Sequence, residues 1–241
     1  MSTKVEELDW CTTPMGDLSL RRRLDPVVGV DVYEVKLGDD FLMSSLFTVA
    51  EIAMARLALS LLPNQPLDVV VGGLGLGYTA VEVLADPRVA SLTVVEAHDR
   101  VIDWHVRGLL PSSTALTSDP RMQFVHGDFF AMASGRGFDP AQPQRRFHAV
   151  VLDIDHSPRH VLHPSHADFY GQPGTRRLAE HLLPAGAFAL WSNDPPDQDY
   201  QHVLDTVFES ARAEVVAFDN PLQGRESTNT VYLASARGTL V

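Results

Sequence analysis

Cysteine is almost missing from this chain of 241 residues, where Cys11 stands alone. That excludes an intrachain disulfide and a zinc site built on cysteines. Positive charge is also scarce. Nineteen Lys and Arg face 31 Asp and Glu, for a net charge of −12. Nonspecific binding to nucleic acid or to an anionic membrane needs a basic surface, so neither is expected. Long apolar runs are lacking too. The most apolar stretch, Phe41 to Leu62, is interrupted by Glu51 and Arg56 and makes a poor membrane span. Met1 to Trp10 carries Glu6, Glu7 and Asp9, without the basic-then-apolar order of an export signal. A cytoplasmic location is therefore expected. There is no internal repeat and no low-complexity tract.

What is present is organised around Leu67–Ala80. Leu67-Asp68-Val69-Val70-Val71 reads as a strand buried on both faces. It runs into a turn carrying Gly72, Gly73, Gly75 and Gly77, and then into a helix. Glycines suit a sharp turn that must approach a ligand closely, and the helix points its free N–H groups back at that turn. A dinucleotide fingerprint, G-x-G-x-x-G, would need a glycine where Tyr78 stands. The order here is G-x-G-x-G, which counts against a dinucleotide dehydrogenase.

Strand-like and helical segments then alternate. Strands are predicted at Ser91–Glu96, Met122–His126, Phe147–Ile154, Gly186–Trp191, Glu214–Phe218 and Thr230–Ala234. Helices are predicted over Phe47–Leu62, from Gly77 to Leu84, and over Asp99–Leu110, Asp168–Leu183 and Asp197–Ala211. The fold class expected is α/β, a doubly wound, seven-stranded, mostly parallel sheet. Residues 41–241 would form this nucleotide-binding domain. Residues 1–40 would form a small β-rich appendage, with strands at Leu18–Arg22 and Val28–Leu37. The basic run Arg21-Arg22-Arg23 reads as a solvated face.

In such a sheet, ligands sit at the carboxyl ends of the strands. Glu96 ends the second strand, where an acid can accept hydrogen bonds from ribose hydroxyls. Asp128 follows the third strand, where it can meet an adenine amino group or cap a helix, and Phe129 can flank the ring. Asp153 and Asp155 follow the fourth strand at i and i+2. In an extended chain both face one side, where they can hold an ammonium group or take a proton from an attacking amine. His148, His156, His160, His163 and His166 crowd the same interval, but their spacing matches no zinc pattern and no metal is expected. His156, beside the acids, is a candidate base near neutral pH.

Taken together these residues resemble the spermidine synthase family, a branch of the S-adenosylmethionine-dependent methyltransferase fold. The resemblance rests on Gly72–Gly77, Glu96, Gly127-Asp128, the acidic segment Asp153–Pro158 and the pair Phe169-Tyr170. It covers about Val28 to Leu190. It implies a site for S-adenosylmethionine or its decarboxylated form at Gly72, Gly73, Gly75, Gly77, Glu96, Asp128 and Phe129. Asp153 would position the acceptor or act as general base, with Asp155 and Tyr170 orienting the acceptor. The chain departs from the family on the acceptor side. Gly75 stands where the family's loop carries an aspartate, the acidic segment has altered spacing, and the Y-H-E signature is replaced by Met43–Glu51. The expectation is thus a transferase moving a methyl group to a small acceptor. Aminopropyl transfer to an amine, as in polyamine synthesis, is the alternative, and a non-catalytic nucleoside-binding module is a third. A homo-oligomer is left open.

Overall fold

The computed structural model describes residues 5–14 and 16–238. Positions 1–4 and 15, within the expected appendage, and 239–241 lie outside the described residues. The chain opens with a four-stranded antiparallel sheet, β1 (Val5–Thr13), β2 (Gly16–Leu24), β3 (Asp31–Leu37) and β4 (Asp40–Ser44), paired in sequence order. Only β2 and β3 match predicted strands. The acidic edge strand β1 shows little alternation, and β4 is hidden at the start of the apolar run that leads into the first helix. The three arginines of β2 stand in cross-strand ion pairs, Arg21 with Glu7, Arg22 with Glu6 and Arg23 with Glu34, and Arg23 also pairs locally with Asp25.

The remainder is α1 (Val49–Ser60), β5 (Leu67–Gly72), α2 (Tyr78–Ala85), β6 (Val89–Glu96), α3 (Asp99–Val106), α4 (Ser113–Thr117), β7 (Met122–His126), α5 (Phe129–Ser134), β8 (Phe147–Leu152), α6 (Ala167–Tyr170), α7 (Gln172–Ala179), β9 (Leu182–Ser192), α8 (Gln198–Val207), β10 (Ser210–Asn220) and β11 (Arg225–Ser235). Seven strands form one sheet in the order β10-β11-β9-β8-β5-β6-β7. Six run in one direction, and only β11, antiparallel to both its neighbours, is reversed. This is the doubly wound, mostly parallel α/β sheet the alternation predicts.

Alternate residues of the central strands feed two cores. Val69, Val71, Val94 and Val151 pack under α1 to α4, beside Met54, Val83 and Trp104. Val70, Val95, Val150 and Leu152 pack under α5 to α8, beside Phe129, Phe169 and Leu204. Covering both faces is what makes the strands apolar throughout. The N-terminal sheet joins the first core through Leu18, Leu20, Val35 and Leu37. It is also tied down by Asp9, which accepts from the indole N–H of buried Trp104 at 2.7 Å and pairs with Arg100 and Arg107.

Three predicted helices end differently. Residues 168–183 form two short helices, because the chain is extended at Gly171 and Pro173 then restarts the turn. Asp99–Leu110 stops at Val106, ahead of Gly108 in a left-handed conformation. The helix predicted over 197–211 is capped by Asp197 and ends at Val207, because β10 begins at Ser210. Strands β10 and β11 form a long hairpin that reaches past the sheet toward the N-terminal strands, where Phe218 meets Phe47 with ring centroids 5.8 Å apart. No helix among the described residues is long and apolar enough to cross a membrane.

Candidate active site

The glycine loop leaves β5 at the middle of the sheet. Gly73 has φ +91°, and a Cβ there would collide with the backbone oxygen of Asp153, so the loop lies directly on the start of the segment after β8. Gly75 has φ +45° and is covered by the thioether of Met43, which also accepts from Leu76 N at 3.2 Å. From beneath, the imidazole Nε2–H of buried His105 donates to the Gly75 carbonyl at 2.9 Å. Burial pushes the His105 pKa down and so favours the neutral ring. Val81 N is the first amide of α2 to bond backward, to Gly77 O. The N–H groups of Tyr78, Thr79 and Ala80 precede it, and the first turn of α2 carries no acid. That end of the helix favours negative charge.

Two cavities meet at this loop. The first, of about 310 Å³, is a mainly apolar slot between β2–β3 of the N-terminal sheet, through Leu18, Val35 and Leu37, and the ends of β6 and β7. Glu96, Asp128 and Phe129 all line it. Glu96 accepts from Leu74 N at 3.0 Å through Oε2 and from His98 N at 2.8 Å through Oε1. A carboxylate has about four lone-pair sites, so two remain for a ligand. Asp128 caps α5 through Oδ1, which accepts from Phe130 N and Ala131 N. Its Oδ2 has no partner among the described residues, so capping and ligand contact are compatible. Phe129 is 2% exposed and stacks on Phe138 at 4.7 Å. It forms the back wall against Gly72 rather than a free face for a ring to lie on.

The second cavity, of about 480 Å³, opens on the other side of the loop. It runs from α1 and the glycine loop across the ends of β8, β9 and β11 to the β10–β11 hairpin. Met43, Gly75, Asp153, Ile154 and His156 line both cavities, so Asp153 stands on the wall between them. Thr79 Oγ1 donates to Asp153 Oδ2 at 2.9 Å. Burial lifts the Asp153 carboxyl to about 6. Glu51 lines the same cavity, and burial, followed by the neighbouring Asp153 charge, lifts it to about 8. Between them these two acids hold about one proton near neutral pH and offer about one negative charge to a cation.

Glu51 is the site residue that sequence reasoning missed. Its spacing from Thr48 suggests a capping box, but Thr48 makes no side-chain cap bond. The available signal was its place on the helix: Ala50, Met54, Ala55 and Ala58 are buried around it, and an acid on that stripe must face a cavity or a partner. Met43, His105 and Trp191 were missed as well.

Asp155 and Tyr170 require a correction. Strand β8 ends at Leu152, so the chain is bent, not extended, by Asp155, and the two acids do not share a side. Asp155 is 1% exposed. It accepts from Leu162 N at 2.7 Å, from the Tyr170 hydroxyl at 2.8 Å, and from His166 at 2.9 Å. Neither Asp155 nor Tyr170 lines either cavity. Together they pin the 155–170 loop. The crowded histidines also disperse. His148 accepts from Asp68 N, His160 meets Asp194, His163 meets Ser165 and His166 meets Asp155, while His156 faces the cavities. No group of three or more potential metal ligands occurs among the described residues.

No family model matches the chain. Among curated proteins it is 29% identical over 164 residues to putrescine N-methyltransferase 3 of Nicotiana tabacum and equally to putrescine N-methyltransferase 2 of Nicotiana attenuata. Those matches cover 66% of this chain but only 38% and 39% of the relatives, so the likeness spans about two fifths of their length. Among solved structures, a spermidine synthase in complex with the transition-state analogue AdoDATO superposes with a TM-score of 0.73 at 16% identity, covering 95% of this chain and 73% of that one. The spermidine synthase from Thermotoga maritima gives 0.72 at 17%, covering 95% and 72%. Human methyltransferase-like protein 13 in complex with SAH gives 0.58 at 18%, covering 79% and 84%. The fold is the spermidine synthase-like form of the class I methyltransferase fold.

Proposed function

On this spermidine synthase-like fold, we propose that the chain is an S-adenosylmethionine-dependent transferase that methylates a small amine. The observation that carries the reading is the shared wall: Asp153 stands between a mainly apolar slot edged by Glu96 and Asp128 and a cavity that Glu51 also lines. The residues fit the nucleotide. Glu96 has lone pairs free for ribose hydroxyls, Asp128 Oδ2 is free for the adenine amino group, and Leu18, Val35 and Leu37 form an apolar wall. The donor supplies a carbon already activated by its sulfonium. The protein's part is to align the acceptor nitrogen with that carbon and to remove a proton from the ammonium before attack. Asp153 fits that base role, and Glu51 helps to hold the cation beside it.

Gly75 favours methyl transfer over aminopropyl transfer. An aminopropyl donor ends in an ammonium group alone, which wants a carboxylate by the loop. Here Met43 covers that point, and the first turn of α2 carries no acid of its own, Asp153 meeting it from the far side of the loop through Thr79. Such a helix end suits the carboxylate that only the methionine form carries. Aminopropyl transfer remains the second reading, because the spermidine synthases superpose over nearly the whole chain. The proposal includes a unit over 1–40 beside a nucleotide domain over 41–241, a cytoplasmic setting, and no nucleic-acid or membrane partner. Mass spectrometry of products tests the reaction. With S-adenosylmethionine and a panel of small amines, one amine is expected to gain a methyl group as S-adenosylhomocysteine accumulates. Gain of an aminopropyl group from the decarboxylated donor alone would replace this reading with the second.

A further inference from the structure

The sheet order fixes what an acceptor meets beyond its reacting amine. The second cavity crosses the strand ends in the order β8, β9, β11, with neighbouring strands about 5 Å apart. Asp153 follows β8. One strand further is Asn193, just past β9, whose N–H donates to the His156 carbonyl at 2.7 Å. The next strand brings Asn229 of β11, 8% exposed, whose Nδ2 donates to Asn193 Oδ1 at 3.2 Å. That bond leaves Asn193 Nδ2 as a donor and Asn229 Oδ1 as an acceptor without partners among the described residues, and both residues line the cavity.

Among the described residues, no carboxylate is hydrogen-bonded to the side chain of Asn193 or Asn229. Asp194, the nearest acid in sequence, is turned away and bonded to Ser157 Oγ at 2.6 Å and His160 at 2.7 Å. Besides Glu51 and Asp153, the acid lining the cavity among the described residues is Glu226, out on the hairpin next to Arg225. A second ammonium against two amides would have no counter-charge beside it, whereas a neutral hydroxyl or amide could bond to both.

Resting on the reading of this cavity as the acceptor site, we propose that the acceptor carries one ammonium group and, a few carbons away, a neutral hydrogen-bonding group. It would be an amino alcohol or amino amide and not a diamine. Asn193 and Asn229 would set this specificity by presenting one donor and one acceptor, while Glu51 and Asp153 hold the single cation.

The test is calorimetric titration of the chain saturated with S-adenosylhomocysteine, using 4-aminobutan-1-ol, 4-aminobutyramide and putrescine. At least one of the neutral-ended amines is expected to bind about tenfold or more tightly than putrescine, a difference of about one hydrogen-bonding mismatch. Asn193→Asp, checked for an unchanged melting profile, is expected to shift the preference toward putrescine by a similar factor. Asn229→Asp repeats the test if the first variant fails to fold. Equal or tighter binding of putrescine by the unaltered chain, binding of none of the three, or an unchanged preference in the folded variant would overturn the proposal. Failure to bind S-adenosylhomocysteine at all would instead bring down the nucleotide reading beneath it.

Discussion

Asp153→Asn is expected to reduce turnover by about 10²- to 10⁴-fold, the range of a lost general base, while changing affinity for S-adenosylhomocysteine by no more than about threefold. The amide is isosteric and still accepts from Thr79 Oγ1, so the geometry at the wall is retained. What is lost is the group that takes a proton. The same substitution is expected to make the fold more resistant to alkaline pH. Asp153 titrates at about 6 and Glu51 at about 8, both above the ordinary carboxylate values they regain on unfolding. Between those values the folded state binds more protons than the unfolded state, so stability falls as pH rises from about 4 to about 8. Asparagine removes one carboxyl from that balance and removes the like charge beside Glu51. The melting temperature of the variant should therefore exceed that of the unaltered chain at pH 8 and lie close to it at pH 4. A variant that is slower and also more stable marks an acid retained for chemistry at a cost to the fold. Turnover within tenfold of the original would remove Asp153 from the base role, and a nucleoside sensor would show no turnover to lose.

Glu96→Ala is expected to weaken S-adenosylhomocysteine binding by about 10²-fold, the loss of charged hydrogen bonds to two hydroxyls. Part of the effect comes from the loop. Glu96 accepts from Leu74 N inside the glycine turn and from His98 N at the entry to α3, so its removal leaves two amides unpaired as well. Glu96→Gln keeps one acceptor oxygen and should fall between the two. Isothermal titration of the three proteins separates them. If Glu96→Ala bound the nucleotide within about threefold of the original, the first cavity would not be the ribose site.

The nucleotide half was legible because its signals are local. A β-branched run, a glycine turn and an acid closing the next strand lie within thirty residues of sequence (67–96), and periodicity places each on a strand end. The acceptor half was not, because it is built by tertiary packing. Glu51 reaches the site from a helix before the sheet begins, and its cap-like spacing hid it. Asp155 looked equivalent to Asp153 only on the assumption that the strand continued, and the bend after Leu152 sent it to Tyr170 and His166 instead. Asn193 and Asn229 gain meaning only when β9 and β11 pair. The hairpin read as two short strands because the outer ends of β10 and β11 alternate weakly and carry polar residues on both faces.

The most direct test of the central claim is calorimetric titration of the purified chain with S-adenosylmethionine, its decarboxylated form, S-adenosylhomocysteine and methylthioadenosine. A methyltransferase with this slot and an acid-free glycine loop should bind the first and third at least about tenfold more tightly than the second and fourth, because only they carry a carboxylate for the start of α2. Binding of none of the four by the folded chain would contradict the account.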